Sequence, residues 1–302
     1  MKQKSKLLLI YNIILFLFTG FVLLYEFVIP HGGYVIDDPE IVIEAPSEEL
    51  IYPGTIPSTL QSGTVIGTYT SDYMIITIYQ IRAYSSNVYV ADVVVSDAQL
   101  ILSALAYNSF GGSNVTQTVS EMATDHDAIF AINADYASHY NEGFVIKNGK
   151  ILRSSTSSRD AAVLYKDGSF NSLTESDSNI NDILDDGAWQ LWSFGPVLIK
   201  NGVSVASVND GLQRSAANNP RSAIGYVDTN HFMFVTVDGR STSSTGVDIE
   251  ELADIMASLN CTEAYNFDGG GSATMWFDNE VVNNPSEGDE RGVGDCVYIS
   301  KA

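Results

Sequence analysis

Two short apolar runs and the segment between them restrict this fold more than any other stretch of the chain. Residues 231–237 and 263–267 are rich in β-branched and aromatic residues and read as strands. Between them, residues 248–259 carry Ile249, Leu252, Ala253, Met256 and Leu259 on one face at helical spacing, and Asp248 with Glu251 can cap the start. Strand, crossover helix and strand make a βαβ unit, whose two strands run parallel with a right-handed crossover. Asp238 and Asp268 each directly follow their strand. Both therefore fall at the carboxyl edge, where open α/β sheets bind ligands. Residues 128–133 read as another strand, and Asn133 and Asp135 at its end can join that rim. Three acidic positions on one rim have little structural purpose, which makes them candidate catalytic groups.

Asp268-Gly269-Gly270-Gly271-Ser272 is the strongest local motif. Three glycines after a buried strand allow a ligand close to the backbone and can expose successive N–H groups to a phosphate oxygen. Ser272 adds a hydroxyl donor. A tight hairpin is the structural alternative. No Gly-Lys-Ser/Thr follows, so this is not a nucleotide P-loop. Arg221, just before a strand in Asn219-Pro220-Arg221-Ser222, is a candidate for bidentate phosphate binding or for a surface salt bridge. Asp238-Gly239-Arg240 offers a carboxylate and a guanidinium two residues apart, or an ordinary turn.

The remaining folded part reads as short strands with a few helices. Residues 72–82 and 87–95 are strands, while 99–106, 118–126 and 177–187 look helical. Residues 142–153 and 161–170 read as hairpins turning at Asn148-Gly149 and Asp167-Gly168. The expected class is α/β of the α+β kind, with mixed sheets, flanking helices and one βαβ unit carrying the site loops.

Charge excludes one class of partner. Fifteen Lys plus Arg against 37 Asp plus Glu give −22, which repels a nucleic-acid backbone. His31, His126, His139 and His231 have no zinc spacing, and the acidic run from Asp177 departs from a calcium loop at its sixth and twelfth positions. No metal site is expected and no cofactor is required. Ca2+ is left open through Glu287, Asp289, Glu290 and Asp295, which could equally form a solvated loop. Cys261 and Cys296 allow one disulfide at most.

The N-terminus adds a location. Lys2, Lys4 and Lys6 precede an apolar run, residues 7–25, and the next basic residue is Arg82. That asymmetry predicts a single membrane-spanning anchor over 1–29, uncleaved, with its start in the cytoplasm and the rest outside. Residues 30–62 hold five prolines, many acids and no base, and read as a tether, leaving 63–302 as the working domain.

Several stretches, taken in order, resemble the phosphodiester glycosidase family. They are Ala131-Ile-Asn-Ala-Asp-Tyr136, Ser193-Phe-Gly-Pro196, Asn219-Pro-Arg-Ser-Ala-Ile-Gly225, Val237-Asp-Gly-Arg240, Asn266-Phe-Asp-Gly-Gly-Gly-Ser-Ala273 and Asn283-Asn-Pro285. The family usually has Gly where Ala134 stands, and often Thr and Leu at the places of Ser222 and Phe267. Bacterial members are often described as exopolysaccharide-related. The resemblance implies hydrolysis of a sugar-1-phosphodiester, such as an N-acetylglucosamine-1-phosphodiester, to free sugar and a phosphomonoester. The chemistry this implies is met with Asp268 as base or nucleophile and Asp238 as second carboxylate, or with the two roles exchanged, and with Asp135 as a further candidate. Arg221, Arg240 and the Gly269, Gly270, Gly271 and Ser272 backbone would hold phosphate, while Asn133 and Asn266 orient the sugar. The competing expectation is a non-catalytic surface module that binds a glycan on the same fold.

Overall fold

The computed structural model describes residues 2–36, 43, 46, 49–208 and 216–301. Three sheets carry the fold. The large sheet has eight strands, in the order Val203–Ser204, Val197–Lys200, Glu263–Asn266, Arg221–Asp228, His231–Val237, Ser86–Val95, Met74–Ala83 and Thr64–Thr70. A second sheet of five runs Glu280–Val281, Met275–Phe277, Ala128–Asn133, Asp295–Ser300 and Leu102–Leu105. A third, also of five, runs Phe170–Thr174, Asp160–Tyr165, Ala188–Trp192, Val145–Lys147 and Lys150–Arg153. With few helices, the class is α+β, as the sequence implies.

Period-two alternation builds the layers. Along His231–Val237, Phe232 and Phe234 enter a core shared with Phe130, Ile132, Met275 and Val297 of the second sheet. Met233, Val235 and Val237 face the other way, onto Leu252, Ala253 and Met256 of the helix Ile249–Ser258. Burying each such side chain contributes about 1.5–3 kcal/mol, so a one-residue slip of this strand would forfeit several of these contacts at once. The third sheet packs Ile146, Val163 and Leu191 against Ile180 and Ile183 of the short helix Ile180–Asp185.

The βαβ expectation holds in direction and differs in pairing. His231–Val237 and Glu263–Asn266 run parallel, but Arg221–Asp228 lies between them and pairs antiparallel with each. The ladders throughout the described residues are antiparallel. The inserted strand has a useful consequence. Its first residue, Arg221, is opposite Val237, so it starts at the edge where Asp238 and Asp268 emerge. Both helix caps form as expected, Thr118 with Glu121 and Asp248 with Glu251.

One helix expectation is corrected. Residues 99–106 form a single 3-10 turn, Ala98–Leu100, and then the strand Leu102–Leu105, which pairs with the strand Asp295–Ser300. The Leu- and Ala-rich composition suits a helix, but all four strand residues are buried, and pairing with a central strand overrides local propensity. Cys261 and Cys296 are both free thiols, buried in different hydrophobic clusters, so no disulfide joins them.

The N-terminal helix Lys2–Phe27 includes an apolar stretch, Leu9–Phe27, of mean hydropathy 1.9 and no buried share. It is long enough to cross a membrane, as a signal anchor or a signal peptide would be. Of the segment expected as a tether, residues 37–42, 44–45 and 47–48 lie outside the described residues. Elsewhere in it, Tyr34–Val35 pairs with Ser109–Phe110, and the Tyr52 hydroxyl donates to Asp92 at 2.8 Å.

Candidate active site

Asn133 fastens the edges of two sheets together. Its Nδ2 donates to the Asp268 carbonyl at 2.6 Å, and its Oδ1 accepts from the Ser222 hydroxyl at 2.7 Å and from the Thr274 N–H at 3.1 Å. The Asp268 N–H in turn donates to the Ala134 carbonyl, and Phe267 N–H to the Ser222 carbonyl. All of these groups are inside the protein, where an unmatched donor or acceptor costs about 1–3 kcal/mol. The position of Asp268 is thus fixed from both sheets. Asn133 itself is buried and works from beneath.

A cleft of about 500 Å³ opens above this junction. Asp268 lines it, with its side chain 20% exposed. One carboxylate oxygen accepts from the Gly269 N–H at 2.9 Å, and the other from the Ser272 hydroxyl at 2.6 Å. Arg291 donates to that same hydroxyl at 2.6 Å and stands 3.8 Å from the carboxylate. Arg159, Arg221, Arg240 and Arg291 all line the cleft, and among the described residues that line it Asp268 is the one acid. Four of the chain's seven arginines thus meet at one place in a protein of net charge −22.

The glycine loop is arranged differently from the expectation of a row of open donors. Gly269 N–H points to the Asp268 side chain, Gly270 N–H to the Pro220 carbonyl at 2.9 Å, and Ser272 N–H to the Gly269 carbonyl. Three of the four N–H groups are engaged within the fold. What the loop supplies is close approach: a Cβ on Gly269 would sit 2.6 Å from the Pro220 carbonyl oxygen, and Gly270 has φ +63°. Arg221 lies beneath the rim, largely buried, donating to the carbonyls of Val247 and Ala217. Arg240 is exposed and donates to Asn219 Oδ1. Asn266 is 3% exposed; its Nδ2 donates to the Gly195 carbonyl at 2.8 Å, while its buried Oδ1 has no partner among the described residues.

Asp238 and Asp135 share the edge with Asp268 but do not line the cleft. Asp238, 3% exposed, accepts from the Asn284 N–H and from Asn284 Nδ2, each at 2.9 Å, and holds the Asn283-Asn284 turn. Its neighbour Tyr89 is pushed up to about 12, by burial first and then by the Asp238 charge. Asp135 is wholly buried, 3.0 Å from Lys147 Nζ, and accepts from the Ser193 N–H. Lys147 also stands 2.9 Å from Asp295. Two acids thus share one buried ammonium. Burial opposes charge on Asp135, but Lys147 and the hydrogen bonds outweigh it and bring its carboxyl below the ordinary range. Burial pushes the Asp295 carboxyl up to about 7; Lys147 pulls against this and Asp135 adds to it. Asp295 Oδ1 also accepts from the Tyr136 N–H at 3.2 Å. The triad therefore lies directly under a residue that faces the cleft. Among the described residues no group of three or more His, Cys, Asp or Glu side chains converges as metal ligands would. Glu290 accepts from the Ser120 N–H and Glu287 stands 4.0 Å from Arg291.

Residue motifs missed Tyr136, Tyr140, Arg159 and Arg291, which all line the cleft. The Tyr136 ring stacks on His139 with centroids 3.8 Å apart, and Arg159 lies over Tyr140 at 4.0 Å. The available signal was charge: in so acidic a chain each of the seven arginines is a question in itself.

Comparison with known proteins bears on the family and the fold. The family model described as NAGPA, phosphodiester glycosidase, matches residues 126–300, more than half of the chain. An uncharacterised SPbeta prophage-derived protein, YomE of Bacillus subtilis (strain 168), is 28% identical over 199 residues, covering 64% of this chain and 31% of that protein. The chain thus spans about a third of the length of that curated relative. The zebrafish N-acetylglucosamine-1-phosphodiester alpha-N-acetylglucosaminidase catalytic domain, auto-inhibited by its pro-peptide, has a similar fold. Its TM-score is 0.60 at 21% identity, over 82% of this chain and 87% of that one. A hypothetical protein from Synechocystis gives 0.57 at 13% identity, over 76% and 62%.

Proposed function

The chain belongs to the phosphodiester glycosidase family, and from that premise we propose that it hydrolyses a sugar-1-phosphodiester to free sugar and a phosphomonoester. The observation that carries this reading is one carboxylate, Asp268, among four guanidiniums in a single cleft. A phosphomonoester leaves readily, so little acid catalysis is required. Chemistry at the anomeric carbon needs a carboxylate to activate water or to attack through an oxocarbenium-like transition state. Positive charge must hold the departing phosphate.

In this reading Asp268 is that base or nucleophile, held by Gly269, Ser272 and Arg291. Arg221 and Arg240 take the scissile phosphate, which the glycine loop admits closely. Asn266, anchored through Nδ2 to the Gly195 carbonyl, lines the cleft where the sugar would lie. Asp238, Asp135 and Asn133 act as positioning residues, because each is buried and committed to protein partners. This reading requires no cofactor and leaves Ca2+ open. The N-terminal helix anchors the enzyme in a membrane with the domain outside, beyond residues 30–62, acting on surface polysaccharide or another glycan. N-acetylglucosamine-1-phosphate methyl diester, incubated with the full chain in detergent, tests the reaction. Turnover that disappears in Asp268→Asn, with the melting temperature kept, supports it. Tight binding without turnover in the wild type would instead indicate a glycan-binding module.

A further inference from the structure

Resting on the reading that the cleft takes a phosphodiester, we propose that Arg159 and Tyr140 form a second anion subsite, so that the substrate is a chain carrying a further phosphodiester beyond the scissile one.

Among the described residues four guanidiniums line the cleft against one carboxylate, and Glu287 stands 4.0 Å from Arg291, so positive charge exceeds negative by two, while a phosphodiester carries a single negative one. Two of the four are already committed near the reacting position. Arg291 is bound to Ser272 beside Asp268, and Arg221 is fixed under the rim by two carbonyls. Arg240 extends from the same edge of the large sheet. Arg159 stands apart: it comes from the third sheet, immediately before the strand Asp160–Tyr165.

Among the described residues the Arg159 side chain has no hydrogen bond and no carboxylate within 4 Å, although the chain has 37 acids. Its guanidinium carbon lies 4.0 Å from the centroid of the Tyr140 ring. A contact of this kind orients the guanidinium and leaves its fork of N–H donors for a ligand. That fork fits two oxygens of a phosphate or carboxylate. Arg153 nearby is a second cation; burial first, and repulsion from Arg159 as well, bring its guanidinium below the usual range. Asp135 and Glu175 also act on Arg153 and offset its charge, so the positive charge left for an anion at this end of the cleft is that of Arg159. With a net charge of −22 over the whole chain, a cleft lined by four arginines is a local exception that favours an anion. A repeating phosphodiester supplies the second anion from the same chemistry that the first position already recognises.

Calorimetric binding to the full chain in detergent tests this with two probes, methyl glycerol phosphate with one phosphodiester and its glycerol-extended homologue with two. Neither has an anomeric bond, so binding is read independently of turnover. The expected result at low salt is about tenfold tighter binding of the two-diester probe, the effect of one added charge-assisted contact. That advantage disappears in Arg159→Gln, is partly retained in Arg159→Lys, and shrinks as salt is raised. Arg159→Lys carries the test if Arg159→Gln does not fold. Equal affinity for the two probes, or an undiminished advantage in both variants, overturns the second subsite while leaving the proposed hydrolysis standing. An N-acetylglucosamine-1-phosphodiester that is not turned over, with the two-probe difference intact, does the reverse.

Discussion

Replacing Asp295 with Asn removes a buried acid that the fold holds partly protonated near neutral pH. The carboxyl is pushed up to about 7 from the ordinary 3.8, chiefly by burial. Between those values the folded protein keeps a proton that the unfolded chain has released. Stability through Asp295 therefore falls as pH rises across that window and is level above about 7. At about 1.4 kcal/mol for each pH unit, the loss is about 4 kcal/mol over the whole window and about 3 kcal/mol between pH 5 and 8. Asp135 acts in the opposite sense, because its folded value is lowered: its contribution is present above the ordinary carboxylate range and lost only as pH falls through the lowered value. Urea unfolding of wild type and Asp295→Asn, followed by the buried Trp189, Trp192 and Trp276, gives the difference between the two as a function of pH. Groups that do not interact with Asp295 cancel, and Asp135 and Lys147, which do, keep their charges between pH 5 and 8. Wild type should lose about 3 kcal/mol relative to the variant from pH 5 to 8, a large part of a typical total. A flat difference, or wild type gaining with pH, would refute the shared-ammonium account of the triad.

Other perturbations follow from the same geometry. Asp238→Ala leaves the Asn284 N–H and side-chain amide without their acceptor; unfolding should show a loss of about 1–3 kcal/mol. Turnover should fall while the shape of the pH–rate profile is kept, since Asp238 positions a turn and does not exchange protons with substrate. Gly269→Ala forces a Cβ to 2.6 Å from a backbone oxygen that cannot swing away; a cost of about 1–3 kcal/mol and lost turnover are expected from calorimetry and assay. Cys261 and Cys296 are buried and far apart in the core, and burial pushes both thiols well up. A thiol reagent should find neither in the native protein and two after denaturation, even without reductant.

Local patterns in the sequence carried the hairpins at Asn148-Gly149 and Asp167-Gly168, both capping boxes and the rim shared by Asp238 and Asp268, because turn chemistry and strand–helix–strand direction are written locally. Burial of the rim was not legible. Whether Asp238 faces a ligand or the Asn284 turn depends on residues about fifty positions away, and Asp135 meets Lys147 only after two sheets close on each other. The strand Leu102–Leu105 was read as helix because its partner lies almost two hundred residues downstream. The inner pairing of the glycine loop depends on the Pro220 carbonyl of a neighbouring strand. Arg159 and Arg291 sit in no motif at all, and only their convergence on the cleft reveals them.

The central claim concerns which bond breaks. Turnover of N-acetylglucosamine-1-phosphate methyl diester in ¹⁸O-labelled water, read by phosphorus NMR and mass spectrometry, decides it, with Asp268→Asn as control. Attack at the anomeric carbon predicts the label in the released sugar and none in methyl phosphate. Label in the phosphate would mean hydrolysis at phosphorus and would contradict the role given to Asp268.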